Sequence, residues 1–437
     1  MKSKNNLPFS NLKFENWKNL LFFAIICCYF ITFFLYFVYD DLGGDYQAYW
    51  ITGKIADTKG YSEIYNLSEM KIVYRQIIND SGDQAKIETL LSNISPAPYF
   101  SVFFIPFQFL SRISVINGYK LWTFFNLVLL LGYLIFFLRR MDSRNHTYVS
   151  DMKLLIPFLI SYPVFFNISC GQVEVFVLIC AGEFLRNAAK KRPIISGLWL
   201  GGLLLKPQLL ILVIPIFIIM RYWKALLGFF ASSGIILLIS LWLSGLAGMR
   251  ALINLWTNYS DGVALIVPEI MINWRMVGVI INNLLNTSFG SVITGLGIIL
   301  TILAVFFLIK QIPSYGSSLW VIKMIGVFAA TLAITWHSNY HMAMVLIPFL
   351  VYALVNKLLP EKFILLWGIT ASVIFLGTRI IELFFFGLTK IDYFNFHLIV
   401  IAFIGLISNI LILIFMIQYN DKLETSLTKR LSINYKS

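Results

Sequence analysis

The chain has 437 residues, of which 59% are hydrophobic and only 13% charged, with a mean hydropathy of +0.80. A soluble core cannot hide that much apolar surface, whereas a bilayer solvates it directly, so soluble single- and multi-domain classes are excluded. The net charge of +13 would suggest nucleic acid in a soluble protein. In a membrane protein it is the usual surplus of Lys and Arg in cytoplasmic connections, and no nucleic-acid-binding pattern accompanies it.

The chain opens with four lysines against one glutamate in residues 1–18, followed by an apolar run over 19–38. No small-residue cleavage site follows that run, so it reads as a retained anchor rather than a signal peptide. The next stretch, YDDLGGDYQAYWITGKIADTKGYSEIYN over 39–66, holds an acidic and aromatic cluster: Asp40, Asp41, Asp45, Tyr46, Tyr49 and Trp50. Beyond it, apolar runs bounded by charge or Pro/Gly predict helices near 119–138, 152–168, 173–188, 193–205, 208–220, 225–245, 290–309, 320–336, 341–356, 361–378 and 396–417. Several fall short of the roughly 20 residues a straight span needs. The segment 96–112 carries Pro96, Pro98 and Pro106, which suits a kinked, re-entrant or interfacial helix. The four cysteines, Cys27, Cys28, Cys170 and Cys180, lie inside apolar runs without metal-type spacing, and no disulfide framework is expected.

Charge sets the orientation. Arg139-Arg140, Lys190-Lys191-Arg192, Arg221 with Lys224, Lys310, Lys357 with Lys362, and Lys429-Arg430 recur in alternate connections. Placing them in the cytoplasm puts both termini inside and predicts about twelve spans (11–13) in one integral membrane domain over 1–437. Residues 1–18 and 418–437 are then cytoplasmic tails, and 39–95 and 246–289 are external loops. The first of these carries nine acidic residues against five basic ones. No cytoplasmic connection is long enough for a nucleotide-binding unit, and neither a G-x-G-x-x-G nor a Walker pattern is present.

With this topology, five polar clusters face outward or dip into the membrane from outside. They are the stretch 39–66; Asn167 to Glu174; Lys206-Pro207-Gln208; 246–289 with Asp261, Glu269 and Asn273-Trp274-Arg275; and Trp336 to His341. Their convergence implies one polar cavity opening outward. Each has a plainer reading. A loop carboxylate is ordinarily a solvated charge, and a lysine can snorkel to the interface. A lysine midway between two basic connections and followed by proline is nonetheless expensive unless it lines a cavity. His337 and His341 would form a metal pair if helical, but no third ligand of standard type stands nearby. Glu174 and Glu183 read as structural partners of cations.

Asp45-x3-Tyr49 followed by Gly60-Tyr61-x3-Tyr65, then Pro96-Ala-Pro98-Tyr99, Gly171-Gln172, Gly197-Leu-x-Leu-Gly201-Gly-x3-Lys206-Pro207 and a late His/Tyr cluster resemble glycosyltransferase family 87. These are polyprenyl-phosphate-mannose-dependent mannosyltransferases of the GT-C superfamily, and the resemblance runs over most of 20–350. Two departures stand out: Glu174 where a small polar residue such as Asn is expected, and Ser338-Asn339 in place of Ser-Pro. The resemblance implies an all-α GT-C-type bundle in the cell membrane with its site facing outward. The partners it implies are membrane lipid, a polyprenyl-phosphate-linked sugar and a glycolipid or glycan acceptor, with no cofactor or metal. Asp45 would be the catalytic base. Lys206, Arg275, His337 and His341 would meet the donor phosphate, with Gln172, Gln208 and Tyr49 hydrogen-bonding sugar or phosphate. A transporter or flippase of lipid-linked sugars, or a polysaccharide polymerase or ligase, is the alternative.

Overall fold

The computed structural model describes residues 44–81, 96–141, 154–257, 267–385 and 396–434. Among the described residues the chain is helical with no strand. That is the arrangement by which a segment in hydrocarbon satisfies its own backbone groups. The expected all-α class therefore holds, while the first expected helix, 19–38, lies outside the described residues.

The stretch expected as the first external loop contains two helices, α1 (Gly44–Thr58) and α2 (Leu67–Ser81). A 3-10 turn, Ser101–Phe104, runs into a short helix, Ile105–Leu110, that packs on α1. The apolar helical stretch Ser101–Leu110 has about half the residues that a straight span requires. Next come α3 (Val115–Met141), α4 (Tyr162–Cys170) and α5 (Glu174–Ala189), followed by α6 (Pro193–Gly201), α7 (Val213–Ile219) and α8 (Trp223–Thr257). The chain closes with α9 (Trp274–Leu285), α10 (Phe289–Ile309), α11 (Ser318–Ile334), α12 (Ile347–Val355), α13 (Glu361–Phe385) and α14 (Phe396–Asn434).

Local sequence explains many of these boundaries. Pro163, Pro193 and Pro348 occupy first turns, where the missing N–H costs nothing and the fixed φ suits the helix. Side chains of Ser317 and Asn273 accept from Trp320 N and Met276 N, capping α11 and α9. In α8 the helix bends at Gly245, whose φ of 63° and ψ of −176° only glycine adopts at low cost. Within 246–289, expected as an external loop, the described residues hold the end of α8 beyond the Gly245 bend, all of α9 and the first residue of α10.

Five described helical stretches are long and apolar enough to cross a membrane: Val115–Met141, Trp223–Thr257, Phe289–Ile309, Glu361–Thr378 and His397–Asn420. They sit on the outside and expose Phe124, Leu238, Trp242, Leu300 and Phe307, side chains that suit lipid and not water. Of the shorter apolar stretches, Ser318–Ile334 and Tyr340–Val355 are buried, while Pro193–Leu205 and Pro207–Ile219 keep one side exposed at Ile194, Leu198, Ile211 and Ile218. α11 is buried on every face from Trp320 to Ala333, which marks it as the core around which the rest is wrapped. The Gly197-x3-Gly201 pair brings α6 against α8: a Cβ at Gly197 would lie 1.9 Å from the Ala225 carbonyl oxygen. Small residues at this spacing let helix backbones touch in a membrane, where dispersion replaces the hydrophobic effect as the packing force.

Three interior segments break instead of running straight. α4 ends at Gly171, the Pro193–Ile219 stretch is interrupted at Lys206, and α11 gives way to extended residues before the 3-10 turn Tyr340–Leu346. These three breaks meet, and the polar side chains of the interior gather where they do.

Candidate active site

The first break is built by Gly171, left-handed at φ 66°. Gln172 N donates to Asn167 O at 2.9 Å across the end of α4, closing the helix in the manner of a glycine C-cap. The Asn167 side chain then accepts from Glu174 N at 3.1 Å and starts α5. Gln172 and Glu174 are thereby held on either side of a sharp turn, with Glu174 in a helical first turn, where a negative charge is favoured. Tyr119 and Trp122 of α3 lock the turn from behind, donating to the carbonyls of Ser169 and Gly171 at 2.9 Å each.

The second break places Lys206 between two 3-10 turns at φ −137° and ψ 74°, conformations no helix contains. Its ammonium is 3% exposed and is fully engaged. Nζ lies 2.5 Å from the Tyr99 hydroxyl, 3.1 Å from Gln172 Oε1 and 3.1 Å from Glu174 Oε1, and it sits 5.0 Å from the centre of the Tyr99 ring. The third break brings His341, whose Nδ1 is 2.8 Å from the same Glu174 oxygen. Glu174 is 0% and His341 1% exposed, so the carboxylate is wholly enclosed by these two partners. An unpaired buried charge would cost several kcal/mol, and the pairing is what makes the cluster tolerable.

From α1, Tyr49 donates to Gln172 Oε1 at 2.7 Å and lies 3.2 Å from the Tyr99 hydroxyl. Tyr65 fixes Tyr99 from the other side, donating to its carbonyl at 2.5 Å. Asp45 stands four residues before Tyr49 on the same helix, one turn away on the same face. It is half-buried, and its charge is felt at Tyr49, Cys170 and Lys206.

Arg275 stacks its guanidinium 3.8 Å above the Trp336 ring, while His337 lies within the fields of Lys206, His341, Arg275 and Glu174. Gln208 reaches the Met342 sulfur at 3.7 Å, next to His341. His337 lies in a bend and His341 in a 3-10 turn, so the two are not stacked one turn apart on a helix. Among the described residues no group of three or more His, Cys, Asp or Glu side chains could hold a metal ion.

The structure thus brings together Tyr49, Gln172, Lys206 and His341 directly, sets Asp45 beside them, and arranges Arg275, His337 and Gln208 around the third break. Asp40, Asp41 and Asp261 lie outside the described residues. The reading of Glu174 and Glu183 as partners of cations holds, in Lys206 for the first and Arg186 for the second, whereas sequence reasoning missed Tyr99 and the central place of Glu174. Tyr99 was visible only as the end of the Pro96-Ala-Pro98-Tyr99 motif. Glu174 carried one usable signal, a carboxylate opening an apolar helix, which needs a cationic partner. In chemical terms the site joins an accessible carboxylate to a preorganised cation and several hydrogen-bonding groups, a pairing suited to group transfer from an anionic leaving group.

Membrane-length helices around a charged cluster, buried where three inner segments break, define a multi-pass membrane protein with a built polar site. Residues 97–355 match the family model described as glycosyltransferase family 87, more than half of the chain, and the chain belongs to that family. It is a membrane glycosyltransferase. Comparison with curated proteins and with solved structures gave no match. Gln172, Lys206, Gln208, Arg275, His337 and His341 lie within the matched stretch, while Asp45 and Tyr49 precede it.

Proposed function

We propose that the enzyme moves a hexose, mannose by the resemblance, from a polyprenyl-phosphate donor to a hydroxyl of a glycolipid or glycan. The fold is read as a GT-C-type bundle in the cell membrane, with the transfer on its outer face. The observation that carries this reading is the Lys206 ammonium, held at a helix break by Tyr99, Gln172 and Glu174 with the Asp45 carboxylate in its field.

In the proposed step Asp45 takes the proton of the acceptor hydroxyl. The oxygen attacks the anomeric carbon from the face opposite the phosphate, and the configuration inverts. The C1–O bond to phosphate breaks with its electron pair going to the phosphate oxygen, so polyprenyl phosphate leaves with one more negative charge. Lys206, Arg275, His337 and His341 oppose that charge as it develops, where a low dielectric makes each contact count most. Gln172, Gln208 and Tyr49 orient sugar and phosphate by hydrogen bonds. The step as written calls for no resident cofactor.

The test is reconstitution of purified protein in liposomes with a polyprenyl-phosphate hexose and candidate acceptors. Formation of a glycosylated acceptor with release of polyprenyl phosphate is expected. If the lipid-linked sugar crosses the bilayer but is never consumed, the transferase reading fails and the flippase alternative, which broken interior helices also suit, takes its place.

A further inference from the structure

The residue at the geometric centre of the site is not one of those assigned to the reaction. Glu174 takes the place where the family resemblance would put a small polar side chain, and it contacts two of the groups proposed to face the phosphate. One carboxylate oxygen, Oε1, lies 3.1 Å from Lys206 Nζ and 2.8 Å from His341 Nδ1. These partners come from two different helix breaks, so Glu174 is the link between them. Its own position is fixed independently, through the bond from its backbone N–H to Asn167 Oδ1 at 3.1 Å.

Two features argue that this arrangement does more than fill space. Both imidazole nitrogens of His341 are buried without a hydrogen bond, but Nδ1 lies 2.8 Å from Glu174 Oε1, which leaves Nε2 as the nitrogen open to a substrate. Both Glu174 oxygens are buried without a hydrogen bond, so the close contacts of the carboxylate are the Lys206 ammonium and the His341 ring and not the scaffold. A Lys206 without this counter-charge would be held only by Tyr99 and Gln172, and His341 would keep only its stacking on Phe166 at 5.6 Å.

We infer that Glu174 is a positioning residue: it holds Lys206 and His341 as one unit and presents His341 Nε2 to the leaving phosphate. Glu174 itself takes no proton from the acceptor and touches no reacting atom. This rests on the transfer reaction proposed above. The carboxylate–imidazole pair follows the logic of a catalytic triad, in which a buried carboxylate fixes the orientation and tautomer of a histidine.

The experiment is a double-mutant cycle in the liposome transfer assay, using Glu174→Gln, His341→Gln and the two combined. Glu174→Gln keeps the size of the side chain and an acceptor for Lys206 but removes the charge. Its kcat is expected to fall by roughly 10- to 100-fold, the scale typical when outer-shell partners of functional groups are removed, while KM for the donor changes little. The double variant is expected to lose less than the product of the two single losses, since residues acting as a unit are not additive. Partial recovery in Glu174→Asp would separate charge from packing. Wild-type kcat in Glu174→Gln, or additive losses in the cycle, would overturn the inference. If Glu174→Gln does not elute as an intact species in detergent, Glu174→Asp takes its place in the cycle and the same additivity criterion decides. Failure of the wild-type protein to transfer from any polyprenyl-phosphate sugar would instead refute the reaction on which the inference rests.

Discussion

Two carboxylates share this site, and their surroundings set them apart. Asp45 is half-buried at the start of α1, one turn before Tyr49. Glu174 is wholly enclosed between Lys206 and His341. In the proposed step, environment and not residue type separates the reacting carboxylate from the supporting one. Asp45→Asn should therefore lower transfer by about 10²- to 10⁴-fold, the usual contribution of a positioned base, while donor binding, measured by competition with a non-transferable analogue, is retained. Lys206→Met removes one side of a buried ion pair and should lower stability by up to about 3–5 kcal/mol, seen as a drop in Tm in detergent. Adding Glu174→Gln to it should restore much of that Tm without restoring activity, because the enclosed charge is then gone too. Lys206 was legible as a costly charge in an apolar run. Glu174 was legible as the partner of a cation but not of Lys206 in particular, and Tyr99 was not legible as a partner, since they lie 32 and 107 residues away in sequence and only the meeting of separate breaks brings them together.

The elements that build the site depend on a few close approaches. Gly197→Leu would force α6 away from the Ala225 carbonyl of α8, and overpacking of this kind typically costs about 1–3 kcal/mol. A lower Tm, with loss of activity from the displaced Lys206 segment downstream, is the expected result. At the edge, Arg112 donates to the Asp57 carboxylate from Nε at 3.1 Å and Nη2 at 2.8 Å, tying the end of the short Ile105–Leu110 helix to α1. That bond holds the Asp57 carboxyl below its usual range. Its contribution is present above the ordinary carboxylate pKa and is lost as pH falls through the lowered value. Both groups are solvent-facing, so Asp57→Asn should leave Tm at neutral pH nearly unchanged. Apolar periodicity revealed most of the helices because burial in lipid and burial in protein both need the same residues. It is faint over 246–289, where polar residues are scattered: Gly245 turns the chain without ending the helix, and α9 buries only a narrow face.

For the whole molecule, the expectation of about twelve spans came from charge alternation. Among the described residues five helical stretches satisfy length and hydropathy on their own. Length is a poor measure in the interior, where segments stop partway and a second piece continues. Orientation is open to direct measurement. Single cysteines introduced at Ser62 and at Lys190, both exposed, should react with a membrane-impermeant maleimide from opposite faces of intact cells or inverted vesicles. Labelling of both from the same face would refute the placement of 39–95 outside.

The interruption at Lys206 also governs how the chain can change without losing its site. In an unbroken helix each added or deleted residue swings everything beyond it by about 100°, so one insertion would carry a lysine out of contact with its partners. Here the backbone on either side of Lys206 is already out of helical register. The segments 193–205 and 207–220 are therefore rotationally uncoupled. A length change within 211–219 can be absorbed at the break, leaving the ammonium where Tyr99 and Gln172 hold it.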